Sequence, residues 1–179
     1  MPVGALTVRE AKTSDAAELA RLHVAVWRET YRQLAPVGAF AALDETRRLA
    51  FWLDKFAHPS GRQVILLAEL DGNLVGFTLA SESVNPQIGA MAEIKLLYID
   101  RRFARQGIGR HLLAEVALCL KNSGFTGAAL GVVEGNTPAI RFYSALGGQE
   151  LGRYTDSGPL WLSPNIIYAW HDIEQLLRL

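Results

Sequence analysis

The spacing of apolar residues divides the chain into strands and helices in a regular order. Strands are predicted where apolar residues alternate with polar ones or form short runs, at residues 6–9, 63–70, 74–81, 92–99 and 128–133, with two more between residues 149 and 170. Helices are predicted where apolar residues recur about every 3.6 positions, at residues 14–31, 37–57, 107–122, 137–146 and 172–177. This order, βααβββαβαββ with a short closing helix, predicts an α/β protein whose mixed sheet of about seven strands is flanked by helices.

Residues at the element ends sharpen this prediction. Asp71-Gly72, followed by Asn73, is typical of a β-hairpin turn. Ser14 is expected to cap the first helix, and the helix over 37–57 is expected to break near residues 43–44. A right-handed crossover through the helix at 107–122 makes the strand at 128–133 parallel to the strand at 92–99. Because the chain has no repeat, low-complexity segment or linker, residues 1–179 are predicted to form one domain.

Composition excludes several classes of function. Equal numbers of basic and acidic residues, 18 of each, favour no general attraction to nucleic acid or membranes. Cys119 is the single cysteine, so it is expected to be a buried, inert thiol rather than half of an internal disulfide. The first residues lack the pattern of a signal peptide, and no run of about 20 apolar residues occurs. A cytoplasmic protein is therefore expected.

The loop before the fourth predicted helix is strongly basic. Between Arg101 and His111 there are five basic residues and no acid. Basic residues oppose the positive end of a helix dipole, so an anion shared between them and the helix N–H groups would relieve that repulsion. Gly107 and Gly109 would let such an anion approach the backbone without a Cβ in the way. The alternative is a solvated basic loop with two turn glycines.

Two common phosphate-binding patterns fit this loop poorly. A nucleotide P-loop needs Lys and then Ser or Thr after its last glycine, and Gly109 is followed by Arg110. A dinucleotide-binding turn needs a third glycine where Leu112 stands, directly after its strand. Glu134 could imitate the ribose-binding acid of that fold, so the dinucleotide alternative stays open, although weak.

Residues 92–113, AEIKLLYIDRRFARQGIGRHLL, resemble motif A of the GNAT N-acetyltransferases, which bind acetyl-CoA. In that pattern Arg or Gln is followed by two residues, Gly, any residue, and Gly or Ala. Ala104 departs from it at the first position, but the resemblance implies that mainly backbone amides hold the pyrophosphate, so binding is expected to survive. We expect Arg105 or Arg102 to supply the missing charge. The resemblance extends over about 150 residues and implies the GNAT acyl-CoA N-acyltransferase fold.

The resemblance also assigns the acyl-donor site. It implies that the strand at 92–99 bulges and splays from its parallel neighbour, so that backbone groups there pair with the pantetheine arm and polarise the thioester carbonyl. The implied donor-binding residues in this part of the chain are Leu97, Tyr98, Ile99, Ala104, Arg105, Gln106, Gly107, Ile108, Gly109 and Arg110.

A second stretch, LGVVEGNTPAIRFYSALGG at residues 130–148, resembles motif B of the same family. The resemblance implies that Asn136 binds the pantetheine arm or caps the helix, and that Ala139 leaves room for the donor. Tyr143 matches the tyrosine that protonates the departing thiolate. A phenol of pKa about 10 can donate to a thiol of pKa about 8.5 as its bond breaks. The alternative is that these residues form only the core face of a helix.

An amine nucleophile must lose a proton, and Glu93 is the best candidate for the base because it precedes the donor site on an apolar strand. The alternative is a surface carboxylate paired with Lys95; Glu29 and Glu134 are lesser candidates.

The resemblance places five aromatic residues around the acceptor site. The alternative is that these residues only fill the hydrophobic core. These residues are Trp27, Tyr31, Trp52, Tyr154 and Trp161. His23, His58 and His171 lack the spacing of metal ligands, so no metal is predicted.

Together the two motifs predict an acetyl-CoA-dependent N-acetyltransferase in which an unidentified primary amine attacks the thioester directly. A route through an acylated Cys119 is not expected, because that residue lies mid-helix among apolar neighbours. The competing interpretation is a non-catalytic acyl-CoA-binding module on the same fold. Acetyl-CoA and an amine acceptor are the expected partners, and the resemblance also allows a homodimer.

Overall fold

The structure is a computed structural model that describes residues 4–179. Residues 1–3, which begin the stretch expected to carry no signal peptide, lie outside the described residues. The strands are β1 Leu6–Glu10, β2 Val64–Leu70, β3 Asn73–Glu82, β4 Ala92–Ile99, β5 Ala128–Val133, β6 Gln149–Asp156 and β7 Ser163–Trp170. The α-helices are α1 Ala16–Thr30, α2 Val37–Ala42, α3 Glu45–Ala57, α4 Ile108–Asn122, α5 Thr137–Ala145 and α6 Glu174–Leu177. The predicted element order is confirmed.

The seven strands form one mixed sheet in the order β1-β2-β3-β4-β5-β7-β6. Only β4 and β5 run parallel, as the crossover through α4 predicted. They pair only at Ala92–Ala128 and Glu93–Ala129, and beyond these residues the two strands separate. On its other side β4 carries a bulge at Lys95, because Leu79 pairs with Leu96 while Ala80 pairs with Ile94.

Helices cover both faces of the sheet. α4, α5 and α6 pack on one face, where the largest apolar cluster includes Leu112 and Leu113 of α4 and Leu176 of α6. α1 and α3 pack on the other face through residues such as Leu19 and Trp52. No helix within residues 4–179 is both long and apolar enough to cross a membrane.

The starts of α1 and α3 test two of the predictions, and one of the two is wrong. The cap predicted for Ser14 is wrong, because residues 13–15 form a 3-10 turn and α1 begins at Ala16. The Asp15 carboxylate instead accepts from the Lys12 N–H at 2.7 Å and pairs with Arg9. The predicted break near residues 43–44 is confirmed: Leu43 is extended and the Asp44 side chain caps α3 by accepting from the Arg47 N–H at 2.7 Å.

Candidate active site

A cavity of about 650 Å³ opens where β4 and β5 separate. Its walls come from β4, the basic loop, the start of α4, the middle of β5, α5 and the end of α1. Of the predicted site residues, it is lined by Tyr31, Leu97, Tyr98, Ile99, Ala104, Arg105, Gly107, Ile108, Gly109, Arg110, Asn136, Ala139 and Tyr143. Among the described residues, its lining does not include Gln106, Trp27, Glu93 or Tyr154. Both motifs therefore meet at one site.

Gly107 makes the turn from the basic loop into α4. Its φ is +82°, a left-handed conformation that favours glycine, and a Cβ there would meet no atom within 4 Å. The first N–H groups of α4 have no acceptor inside the helix and lie at the positive end of its dipole. A Cβ at Gly109 would lie 3.4 Å from Phe142 and 3.6 Å from Ile99. Gly107, Ile108 and Gly109 all line the cavity, so the first turn of α4 lies at the cavity wall.

The arginines of the basic loop divide into paired and unpaired groups. Arg102 donates to the Asp100 carboxylate at 2.6 Å, and this hydrogen bond lowers the pKa of Asp100. Arg101 donates to Glu29 at 3.3 Å. Arg105 and Arg110 line the cavity and have no acidic partner within residues 4–179. Arg105 is thus better placed than Arg102 to supply charge to a bound anion.

Three phenols line the same cavity. Tyr143 is 7% exposed, and its hydroxyl makes no hydrogen bond to another residue in the described part of the chain. The hydroxyls of Tyr31 and Tyr98 lie 3.1 Å apart. Burial raises the pKa of all three phenols, so they are protonated at neutral pH. Tyr143 therefore holds a proton that it can donate to a group bound in the cavity.

Glu93 lies beside the cavity rather than in its lining. Its Oε2 accepts a hydrogen bond from the Ser83 hydroxyl at 2.7 Å. No ion pair joins Glu93 to Lys95 among the described residues, so the surface pair considered from the sequence does not form. The lesser candidates are engaged elsewhere: Glu29 pairs with Arg101, and Glu134 pairs with an arginine of β6 at 3.0 Å.

Aromatic residues cover the face of the sheet on which Tyr31 lies. The ring of Trp27 is centred 5.1 Å from that of Tyr31, which in turn lies 6.3 Å from Trp161 in the β6–β7 connection. Trp27 is only 5% exposed and packs in a small apolar cluster, so it supports Tyr31 from behind. Trp52 is fully buried among core residues, and for this residue the core alternative is confirmed.

Tyr154 lies on the same side of the sheet, over β5. A Cβ on Gly131 would collide with the Tyr154 hydroxyl, so glycine is required for this close approach. Burial raises the pKa of Tyr154 to about 12, with smaller contributions from the charges of Asp156 and Glu93. Neither Tyr154 nor Glu93 lines the cavity.

Sequence reasoning missed the wall that β5 contributes. Leu130, Gly131 and Val132 line the cavity opposite β4, and Phe103 and Phe142 add apolar surface. A parallel neighbour that separates from β4 must contribute the other side of the gap, so the predicted pairing of the two strands was the available signal.

Cys119 was expected to be buried, but its side chain is only half-buried. Burial still raises the pKa of its thiol.

Comparisons with known proteins agree with this architecture. Residues 17–147 match the model of the acetyltransferase (GNAT) family. The chain is 34% identical over 140 residues to the uncharacterized N-acetyltransferase YuaI of Bacillus subtilis, covering 78% of each chain. The chain therefore belongs to the GNAT acetyltransferase family, a family of acyl-CoA-dependent acyltransferases.

Solved structures share the fold at low sequence identity. The PaiA N-acetyltransferase of Thermoplasma acidophilum, solved in complex with coenzyme A, superposes with a TM-score of 0.71 at 19% identity, covering 92% of this chain and 98% of that one. YncA of Salmonella typhimurium, a putative acetyltransferase solved with its cofactor acetyl-CoA, has a TM-score of 0.68 at 17% identity, covering 93% of each chain. These structures confirm the predicted fold class.

Proposed function

We propose that the protein is an N-acetyltransferase that moves the acetyl group of acetyl-CoA to a primary amine of a small molecule or peptide. One observation carries this proposal. A single cavity joins the backbone donors and free arginines at the start of α4 to the buried phenol of Tyr143, through the gap between two separating parallel strands. The same cavity would therefore hold a long, phosphorylated acyl donor and expose it to a residue that can donate a proton.

The donor fits the residues present. A volume of about 650 Å³ is within the range typical of cofactor sites, roughly 300–1,000 Å³. The N–H groups at Ile108 and Gly109, with Arg105 and Arg110, would hold the pyrophosphate. Beyond Glu93, the edge of β4 that faces β5 has no β5 partner. Its unpaired backbone groups at residues 97–99 are available to the amides of the pantetheine arm.

In the proposed reaction the amine nitrogen forms a bond to the thioester carbonyl carbon, and the carbon–sulfur bond then breaks. A backbone N–H of β4 directed at the carbonyl oxygen would stabilise the developing charge by roughly 3 kcal/mol. The Tyr143 hydroxyl donates a hydrogen bond to the departing sulfur and passes its proton to the thiolate as the carbon–sulfur bond breaks, and the phenol then regains a proton from water. Because burial raises the pKa of this phenol, its proton is present throughout the neutral range.

The proton lost by the amine goes to Glu93. This carboxylate lies beside the cavity rather than in its wall, so we propose that a water molecule carries the proton to it. Ser83 holds the carboxylate in place through its hydroxyl. Tyr31 and Tyr154 would border the acceptor, and the rings of Trp27 and Trp161 pack near the ring of Tyr31.

Replacement of Tyr143 by Phe tests the mechanism. We expect kcat for acetyl transfer, measured by thiol release, to fall at least about 100-fold while the acetyl-CoA-induced rise in melting temperature is kept. Tyr168→Phe is the matched control, because Tyr168 is equally buried in the same core but does not line the cavity. Unchanged turnover in Tyr143→Phe would remove Tyr143 from the mechanism.

A further inference from the structure

The end of the cavity next to α1 has a wall of aromatic side chains. Tyr31 lines the cavity, and the centre of its ring lies 6.3 Å from that of Trp161 in the β6–β7 connection. Phe40 of α2 packs in the same apolar cluster. None of these three residues is fully buried, so each keeps surface that a ligand can cover.

This aromatic wall continues outward as exposed apolar surface. Val37 and Leu162 are 87% and 71% exposed. Val37 lies three residues before Phe40, on the same side of α2, and Leu162 directly follows Trp161. Single exposed apolar residues are ordinary, whereas apolar residues that adjoin an open aromatic cluster mark a binding surface. This end of the cavity therefore favours an acceptor with an apolar body.

Acidic side chains lie on the face of the sheet that Tyr154 covers. Tyr154 and Asp156 are two residues apart on β6, so their side chains project from one face of that strand. The Tyr154 hydroxyl lies over Gly131, whose backbone lines the cavity. Glu93 pairs in register with Ala129, which belongs to the apolar cluster against which Tyr154 packs. The carboxylates of Glu93 and Asp156 therefore share the face occupied by Tyr154.

Neither of these carboxylates is neutralised. Glu93 and Asp156 form no ion pair within the described part of the chain, and Asp156 accepts only the Gly158 N–H, at 2.9 Å, there. Burial, and to a smaller extent the charge of Asp156, raises the pKa of Tyr31 and Tyr154. The charge of Asp156 is thus felt on both sides of this end of the cavity, where it attracts a cation and repels an anion.

We propose that the acceptor is a primary amine carried on an uncharged aromatic body, of which phenethylamine is the simplest probe. This inference rests on the proposed function. The aromatic ring of the acceptor packs against Tyr31 and Trp161, and its ammonium group faces the carboxylates of Glu93 and Asp156. An amino acid with the same ring brings its own carboxylate toward Asp156 and is disfavoured. A short alkyl amine leaves the aromatic wall uncovered.

The test measures kcat/KM for acetyl transfer to phenethylamine, ethylamine and phenylalanine, expressed per concentration of unprotonated amine. We expect phenethylamine to exceed ethylamine at least about tenfold, because its ring covers apolar surface. It should exceed phenylalanine about tenfold, because it lacks the carboxylate. Trp161→Ala should reduce the preference over ethylamine to less than about threefold, with Trp161→Phe intermediate. Asp156→Asn should reduce the preference over phenylalanine to less than about threefold.

Both changes have controls elsewhere in the chain. Asp172→Asn is matched to Asp156→Asn, because Asp172 is also exposed and also accepts a backbone N–H two residues ahead, from Glu174 at 3.0 Å. Leu118→Ala removes an exposed apolar side chain from α4, on the other face of the sheet. Neither control should alter either preference. The melting temperature and the KM for acetyl-CoA of each variant show whether the fold and the donor site are intact.

The wild-type protein alone can refute the inference. Equal kcat/KM for phenethylamine and ethylamine would overturn it and leave the proposed function standing. A preference for phenylalanine would also overturn it, and would indicate that Lys95, which lines the cavity, binds the acceptor carboxylate. Product from other amines with none from phenethylamine would overturn the inference alone. Absence of N-acetyl product from every amine would overturn the proposed function as well.

Discussion

His23 makes the stability of this protein sensitive to mild acid. The side chain is 1% exposed and is enclosed by aromatic rings. The centres of those rings lie 5.2 to 6.1 Å away, and the residues are Phe51, Trp52, Phe77 and Tyr98. Its Nδ1 has no hydrogen-bond partner among the described residues. Burial, and to a smaller extent the charge of Arg48, lowers the pKa of His23 to about 3.

The lowered pKa of His23 determines the direction and the size of the change in stability with pH. Between pH 6.5 and about 3 the unfolded chain binds a proton at His23 that the folded protein does not, so acid favours unfolding. Each pH unit in that range costs about 1.4 kcal/mol, and the free energy of unfolding should fall by about 2 kcal/mol between pH 7 and pH 5. The lowered pKa values of Asp15 and Asp100 act at lower pH, because those groups ordinarily titrate near 3.8.

Urea denaturation of the unliganded protein at pH 7, 6 and 5 measures this effect. In His23→Phe, which keeps an aromatic ring among aromatic neighbours, most of the loss between pH 7 and pH 5 should disappear. His58→Ala is the control, because the His58 side chain is 79% exposed and should contribute little. A wild-type stability that stays flat between pH 7 and pH 5, or a slope that persists in His23→Phe, would refute the reasoning.

Two further predictions concern the site. Gly107→Ala should destabilise the fold by about 1 kcal/mol, because φ is +82° there, whereas Gly109→Ala should preserve or raise stability, because a helical glycine costs about 1 kcal/mol relative to alanine. Urea denaturation of both variants checks this pair, and equal destabilisation would contradict it. Tyr98→Phe should cost about 1 kcal/mol by removing the hydrogen bond to Tyr31, and adding Tyr31→Phe should cost less than the sum of the two single changes. Additive costs in that double-mutant cycle would show that the two hydroxyls do not interact.

The fold was largely predictable because its local signals agree with one another. Asp71-Gly72 marks the first hairpin, Asp44 begins α3 after a break, and apolar positions in α4 follow one helical face. The parallel strand pair followed from the handedness of the crossover. These features depend on backbone preferences and on residues close together in sequence, which is the information that a single chain displays.

The site was predictable only as far as its motifs extend. Gly107 and Tyr143, which the resemblance named, line one cavity, and the roles assigned to them are proposals. The hydroxyl that holds Glu93 belongs to Ser83 on another segment, and the two bonded phenols, Tyr31 and Tyr98, are 67 residues apart. Such contacts depend on how helices dock on the sheet, and no spacing along the chain records them.

The most direct test of the account is the product formed from acetyl-CoA and a panel of primary amines. The panel should include amino acids, polyamines and short peptides, with free thiol and N-acetylated amine measured in the same reaction by absorbance and mass spectrometry. The account predicts that at least one amine yields thiol and N-acetyl product in equal amounts. Tight binding of acetyl-CoA with no acetylated amine from any acceptor would contradict it and would favour a non-catalytic acyl-CoA-binding protein.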